Sequence, residues 1–136
     1  MTRLFLLVAF VASLGAAARA ADPAAGEAVF KKCKTCHSII APDGTEIQKG
    51  GRTGPNLYGI IGRGVAADPD FAYGGSLAAL GASGAAWDPA SIAAYVTDPA
   101  AYLQGALGDA GAKSGMSFKL AAGGEDVAAY LASVAP

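Results

Sequence analysis

The chain has 136 residues, 53% of them hydrophobic and 15% charged, with 19 glycines, two cysteines and one histidine. A formal net charge of −1 without any basic run argues against nucleic-acid binding, and two Cys with one His are too few donors for a four-ligand structural zinc site. Such a length, with no internal repeat or long polar linker, reads as one domain whose glycine-rich chain buries a limited apolar core.

The first residues are Arg3, an apolar run over residues 4 to 14, and small residues ending in Ala18-Arg19-Ala20. This is the pattern of a secretory signal peptide cleaved after Ala20. The alternative, a retained anchor, is disfavoured because the run is well short of the roughly 20 apolar residues that span a bilayer. Residues 1-20 are therefore assigned to the leader and 21-136 to a single periplasmic domain.

Asp22-Pro23 supplies an N-cap acid and a first-turn proline, so a helix is expected from here, with Gly26, Phe30 and Cys33 at near-helical spacing. It leads into Cys33-Lys34-Thr35-Cys36-His37. Two thiols three positions apart lie on one side of a helical turn, where both can add to the vinyl groups of one porphyrin. The imidazole that follows would be an axial ligand of the iron. A thioredoxin-like dithiol would require a strand-helix alternation around residue 33, which is missing. The motif is thus read as the covalent attachment site of one haem c.

After His37 come turn residues, Ala41-Pro42-Asp43-Gly44 and then Lys49-Gly50-Gly51-Arg52-Thr53-Gly54-Pro55-Asn56, which predict a long loop. Residues 57 to 62 are apolar but interrupted by glycine, fitting either an extended segment or one helical turn. Asp88-Pro89 repeats the cap signal and opens a helix with Ile92, Tyr95 and Val96 on one face. Asp98-Pro99 stops that helix and starts another through Tyr102 and Leu103. Residues 108 to 119 read as loop. The last segment opens with Gly123-Gly124-Glu125-Asp126 and carries Val127, Tyr130, Leu131 and Val134 at the spacing of an amphipathic helix. The expected fold is all-α, with short helices and long loops wrapped around one covalent haem. Helices this short are marginal alone and need a common surface to pack on.

The second axial ligand follows by elimination. There is no second His, and Met1 leaves with the leader, so Met116 is the one thioether of the processed chain. Gly115 beside it permits close backbone approach. A soft thioether opposite an imidazole favours the ferrous state, raises the potential and leaves no open coordination position. Electron transfer, not catalysis, is the expected role.

With its haem motif near the processed N-terminus and Met116 on a loop before the last helix, the chain resembles class I c-type cytochromes, most closely the cytochrome c2 group of photosynthetic bacteria. The resemblance is carried by CKTCHSIIAPDG over residues 33 to 44, TGPNLYG over 53 to 59, residues 79 to 87 with their LGASG core, and GGEDVAAYLASV over 123 to 134. It implies that Pro55 sets its carbonyl against the ring N–H of His37. By the same likeness Arg63, Tyr73 and Trp87 would serve the haem propionate region, and Tyr95 would lie beside the Met116 sulfur. Gly26 and Phe30 would cross the last helix at Tyr130.

Residues 31 to 63 carry six bases and two acids, Lys113 and Lys119 bracket Met116, and residues 64 to 112 hold five Asp and no base. Members of the resembled family often ring the haem edge with lysines; here Lys34, Lys49, Lys113 and Lys119 are the expected docking residues, steering the chain to an acidic partner. The resemblance implies a soluble, monomeric one-electron carrier between a cytochrome bc1 complex and a photosynthetic reaction centre or a terminal oxidase. The alternatives are a haem enzyme or gas-binding cytochrome with an open iron, and a non-haem dithiol protein.

Overall fold

The computed structural model describes residues 19 to 135. The predicted leader therefore lies almost wholly outside the described residues. Within them, five short helices and one two-stranded hairpin follow in the order α1 (Pro23–Phe30), β1 (Ile39–Ile40), β2 (Glu46–Gln48), α2 (Gly75–Ala82), α3 (Pro89–Thr97), α4 (Pro99–Leu107) and α5 (Gly124–Ser133). No helix among the described residues is long and apolar enough to cross a membrane.

Three of the chain's four Asp-Pro pairs start helices, as the sequence predicts; the fourth, Asp68-Pro69, makes a turn, with Asp70 N–H on Asp68 Oδ1 at 3.0 Å. Asp22 caps α1 by accepting the N–H of Ala24 at 2.9 Å. Asp88 and Ser91 cap α3 reciprocally, through bonds of 2.7 and 2.8 Å. Asp98 ends α3 and caps α4 by accepting from the N–H of Ala101 at 3.1 Å, so the two helices share one boundary residue. Helix α4 closes on Gly108, whose φ of 62° is the left-handed conformation that stops helices.

Three elements, the two strands and α2, have no signal in the periodicity. Within the predicted long loop, β1 and β2 pair antiparallel around the turn at residues 41 to 44, with Ile39 opposite Gln48 and a register irregularity before Ile40. Strands of two and three residues are too short to show a period of two. Helix α2 is framed by glycines at positions 74, 75, 81 and 84, which punctuate a sequence as loop does, and it buries Leu80 alone. The ambiguous stretch at 57 to 62 forms two tight turns, closed by Ile60 N–H on Leu57 O at 3.2 Å and Arg63 N–H on Ile60 O at 3.1 Å.

Helices α1 and α5 cross at Gly26, where even a methyl group would overlap the backbone carbonyl of Asp126 and stand 2.8 Å from the Tyr130 Cβ. Phe30, one turn further on, packs its ring 5.7 Å from that of Tyr130. Gly124 lets α5 approach α3 closely too, though less tightly, at the backbone of Ala93, whose carbonyl oxygen would stand 2.9 Å from an added Cβ. Around this junction Phe30, Ile39, Leu103, Leu120 and Val127 are almost completely buried. Trp87, Tyr95 and Tyr102 form a second aromatic cluster with centroids 5.1 to 6.0 Å apart. Between these packed groups one large apolar space remains.

Candidate functional site

That space is a cavity of about 440 Å³ whose walls come from almost every segment: Phe30 of α1, Leu57 and Ile60 of the turns, Trp87, Ile92 of α3 and Leu131 of α5. Its size and apolar walls suit a flat, largely apolar cofactor. Cys33, Cys36, His37 and Met116 all line it. The two cysteines have the spacing and placement of a CxxCH haem attachment site.

The motif sits beyond the last turn of α1, on a turn of its own. Cys33 N–H bonds Phe30 O at 2.8 Å, and His37 N–H bonds Cys33 O at 2.9 Å, the i to i+4 bond of one helical turn. Burial is the main cause that pushes the Cys33 thiol above its ordinary range, with the neighbouring Cys36 adding to it and Lys32 opposing. His37 Nδ1–H donates to the carbonyl of Pro55 at 2.8 Å, which makes Nε2 the lone-pair nitrogen. Burial lowers the His37 pKa and the Pro55 bond partly offsets this, so the ring is neutral and basic at Nε2 at physiological pH.

Glycines mould the loop to this histidine. At Gly54 a Cβ would strike the imidazole, 2.7 Å from Nδ1, and at Gly50 and Gly51 it would strike the carbonyls of His37 and Thr35. Gly51 N–H bonds Lys34 O, and Gly54 N–H bonds Cys36 O, each at 2.8 Å. Asn56 holds the other end of the loop by accepting the N–H groups of Ile40 and Tyr58 and donating to Ile40 O. The sequence presents Gly54 and Asn56 only as turn residues; their contacts are with His37 and Ile40, 17 and 16 residues away, and no local signal points to them.

Met116 arrives on the loop between α4 and α5. Its N–H donates to Ser114 Oγ at 3.0 Å, and the same oxygen pairs with the Tyr95 hydroxyl at 3.1 Å. Tyr95 therefore reaches the Met116 segment through Ser114, and its burial raises its pKa. Lys113 N–H bonds Ser76 Oγ of α2 at 3.0 Å, Gln104 donates to Ala112 O at 3.3 Å, and Leu120 N–H bonds Val96 O at 2.8 Å. Tyr73, Trp87 and Tyr95 line the cavity as well. Arg63 does not: its Nη2 and Nη1 donate to the carbonyls of Asn56 and Tyr58 at 2.8 and 3.3 Å, while its buried Nε has no partner.

Of the four lysines, Lys113 is exposed and lines the cavity wall, as do Ser117 and the 42% exposed Phe118. Lys119 is engaged, its Nζ 2.6 Å from Asp98 Oδ2. Lys34 and Lys49 are on the surface near the motif but outside the cavity wall.

No protein-family model matches the chain. It is 61% identical over 134 residues to cytochrome c2 of Rhodobacter capsulatus, a match covering 97% of this chain and 98% of that one. It is 57% identical over 113 residues to cytochrome c-551 of Roseobacter denitrificans, covering 83% and 81% respectively. The solved structure of the Rhodobacter capsulatus cytochrome c2 superposes with a TM-score of 0.82 at 65% identity, over 83% of this chain and 97% of the other.

Proposed function

The chain belongs to the cytochrome c2 family, and from that membership we propose that it binds one covalent haem c in the cavity and shuttles single electrons in the periplasm. It has the class I cytochrome c fold, and it is an electron carrier rather than an enzyme.

The observation that carries the cofactor is the convergence of Cys33, Cys36, His37 and Met116 on one apolar cavity. The donor set fits: two thiols for thioether bonds, an imidazole whose tautomer leaves Nε2 free, and a thioether from a separate segment, all on one apolar wall. When bound, the haem supplies an iron that changes its charge by one electron. Pro55 fixes the orientation of the His37 ring, so this ligand does not reorganise as charge changes. Met116, a soft donor, favours the reduced form, and the apolar walls exclude water and oppose the more highly charged one. His37 and Met116 would both hold the iron, which would leave it no place for a substrate. Tyr73 and Trp87 would serve the propionate side, and Tyr95 acts on Met116 through Ser114.

The partners we propose are a cytochrome bc1 complex as donor and a photosynthetic reaction centre or terminal oxidase as acceptor, met through basic residues around Phe118. Lys113 contributes most, with Lys34 and Lys49 further out. Lys119 contributes least because Asp98 already faces its charge. Flash kinetics across ionic strength checks this: the rate falls as salt rises, and Lys113→Glu slows it more than Lys119→Glu.

The test of the site is Met116→Ala. Haem stays covalently attached, the potential falls, and imidazole or cyanide binds; an unchanged potential and an unchanged sulfur-to-iron absorption band would remove Met116 from the ligand set.

A further inference from the structure

Helices α1 and α5 start side by side, and the carboxylate of Asp126 lies between them. One of its oxygens, Oδ1, accepts the backbone N–H of Asp22 at 2.8 Å. The other, Oδ2, stands 3.8 Å from the guanidinium of Arg19, which is also 4.0 Å from Asp22 Oδ2. The Asp126 side chain is only 16% exposed. The fold thus brings two carboxylates together and meets them with a cation that belongs to the leader.

Removing the leader changes this balance. Hydrolysis of the peptide between Ala20 and Ala21 by a signal peptidase consumes one water, leaves a carboxylate on the departing Ala20 and an ammonium on Ala21. Arg19 departs in the same step. Successive backbone nitrogens lie about 3 to 4 Å apart, so the nitrogen of Ala21 is within reach of a carboxylate that already holds the nitrogen of Asp22. An ammonium at the start of α1 would be disfavoured by the helix dipole if nothing opposed it, and two helix N-termini meet here.

We propose that Asp126 is the receptor for the α-ammonium group of Ala21, so that processing creates the ion pair that joins the start of α1 to the start of α5. This rests on cleavage after Ala20. Its position is set by the close crossing at Gly26, which seats α1 directly against the Asp126 backbone. The new cation replaces Arg19 at the same carboxylate, with a shorter and less flexible connection to the fold.

The experiment uses the processed holoprotein. Its intact mass comes first, since an N-terminus other than Ala21 overturns both the cleavage site and the pairing. With Ala21 at the N-terminus, transamination with pyridoxal phosphate converts its α-amine to a ketone without touching the lysines. In the wild type this lowers the melting temperature by roughly 3 °C. In Asp126→Asn, which keeps an acceptor for the Asp22 N–H, transamination has no effect. Equal losses in both proteins, or none in the wild type, overturn the pairing while leaving the cleavage site intact. A Gly-Ser extension before Ala21, which moves the ammonium away, behaves as the transaminated form does.

Discussion

The segment that presents His37 and the segment that presents Met116 are built on opposite principles. Around His37 the restraint is backbone against backbone: Gly50, Gly51 and Gly54 touch the motif so closely that no side chain fits, and main-chain bonds of 2.8 Å close the contact. Around Met116 the restraint is mainly a set of side chains, namely Ser114, Ser76, Gln104 and the Lys119–Asp98 pair, with one main-chain bond from Leu120 to Val96 at the far end. A backbone-locked segment cannot shift one residue without moving many, whereas a side-chain-held segment can lose one bond at a time. On the proposed reading the histidine side would set where the haem sits, and the methionine side is where the site would yield first.

The sharpest way to break the contrast is Gly54→Ala. Its methyl group must displace the imidazole or the loop, at a cost of about 3 kcal/mol, and the yield of holoprotein falls with it; a variant with wild-type yield and melting temperature would show that the loop relaxes freely. An intermediate effect is expected at Asp98→Asn. Asparagine caps a helix about as well as aspartate, so the change isolates the pair with Lys119. That hydrogen bond, helped by the Ala101 N–H, holds the Asp98 carboxyl below its ordinary value. A depressed folded-state pKa means that the unfolded chain binds more protons, so the stabilisation is complete above the ordinary carboxylate value of about 3.9. It is lost as pH falls through the lower folded value. Thermal melts from pH 7 to pH 2 should show a constant gap between wild type and variant down to about pH 4 that then closes, and high salt should narrow it at neutral pH. The smallest effect is Gly105→Ala in α4, the helix that leads into the Met116 loop; its methyl group meets no protein atom, and the melting temperature rises by the equivalent of less than about 1 kcal/mol through helix propensity.

Much of this asymmetry is invisible in the sequence. The helices that bear caps are legible because Asp-Pro is followed there by an apolar run at helical spacing, whereas Asp68-Pro69, soon met by Gly74-Gly75, starts none, and α5 is legible because Val127, Tyr130, Leu131 and Val134 repeat at helical spacing. Helix α2 is not, since its stability comes from packing Leu80 and not from any cap or stripe. In the site, Cys33, Cys36 and His37 form a local pattern, and Met116 follows from scarcity. Gly54 and Ser114 act through neighbours 17 and 19 residues away in the chain, His37 and Tyr95, which no local reading can supply. The same holds for Asp98 and Lys119, read separately as a helix boundary and a docking lysine until the fold puts them 2.6 Å apart.

The crossing of α1 and α5 also has a meaning in time. A chain made from its N-terminus presents α1 and the Cys33-to-His37 turn first, yet the helix that covers α1 begins at Gly124, about a hundred residues later. Until then Gly26 has no partner and an eight-residue helix has little reason to persist. The cavity also lacks the wall that Val127 and Leu131 provide. Cys33, partly buried in the finished fold, is therefore most reachable in the interval before the last ten-residue helix arrives, whereas Cys36 stays exposed afterwards.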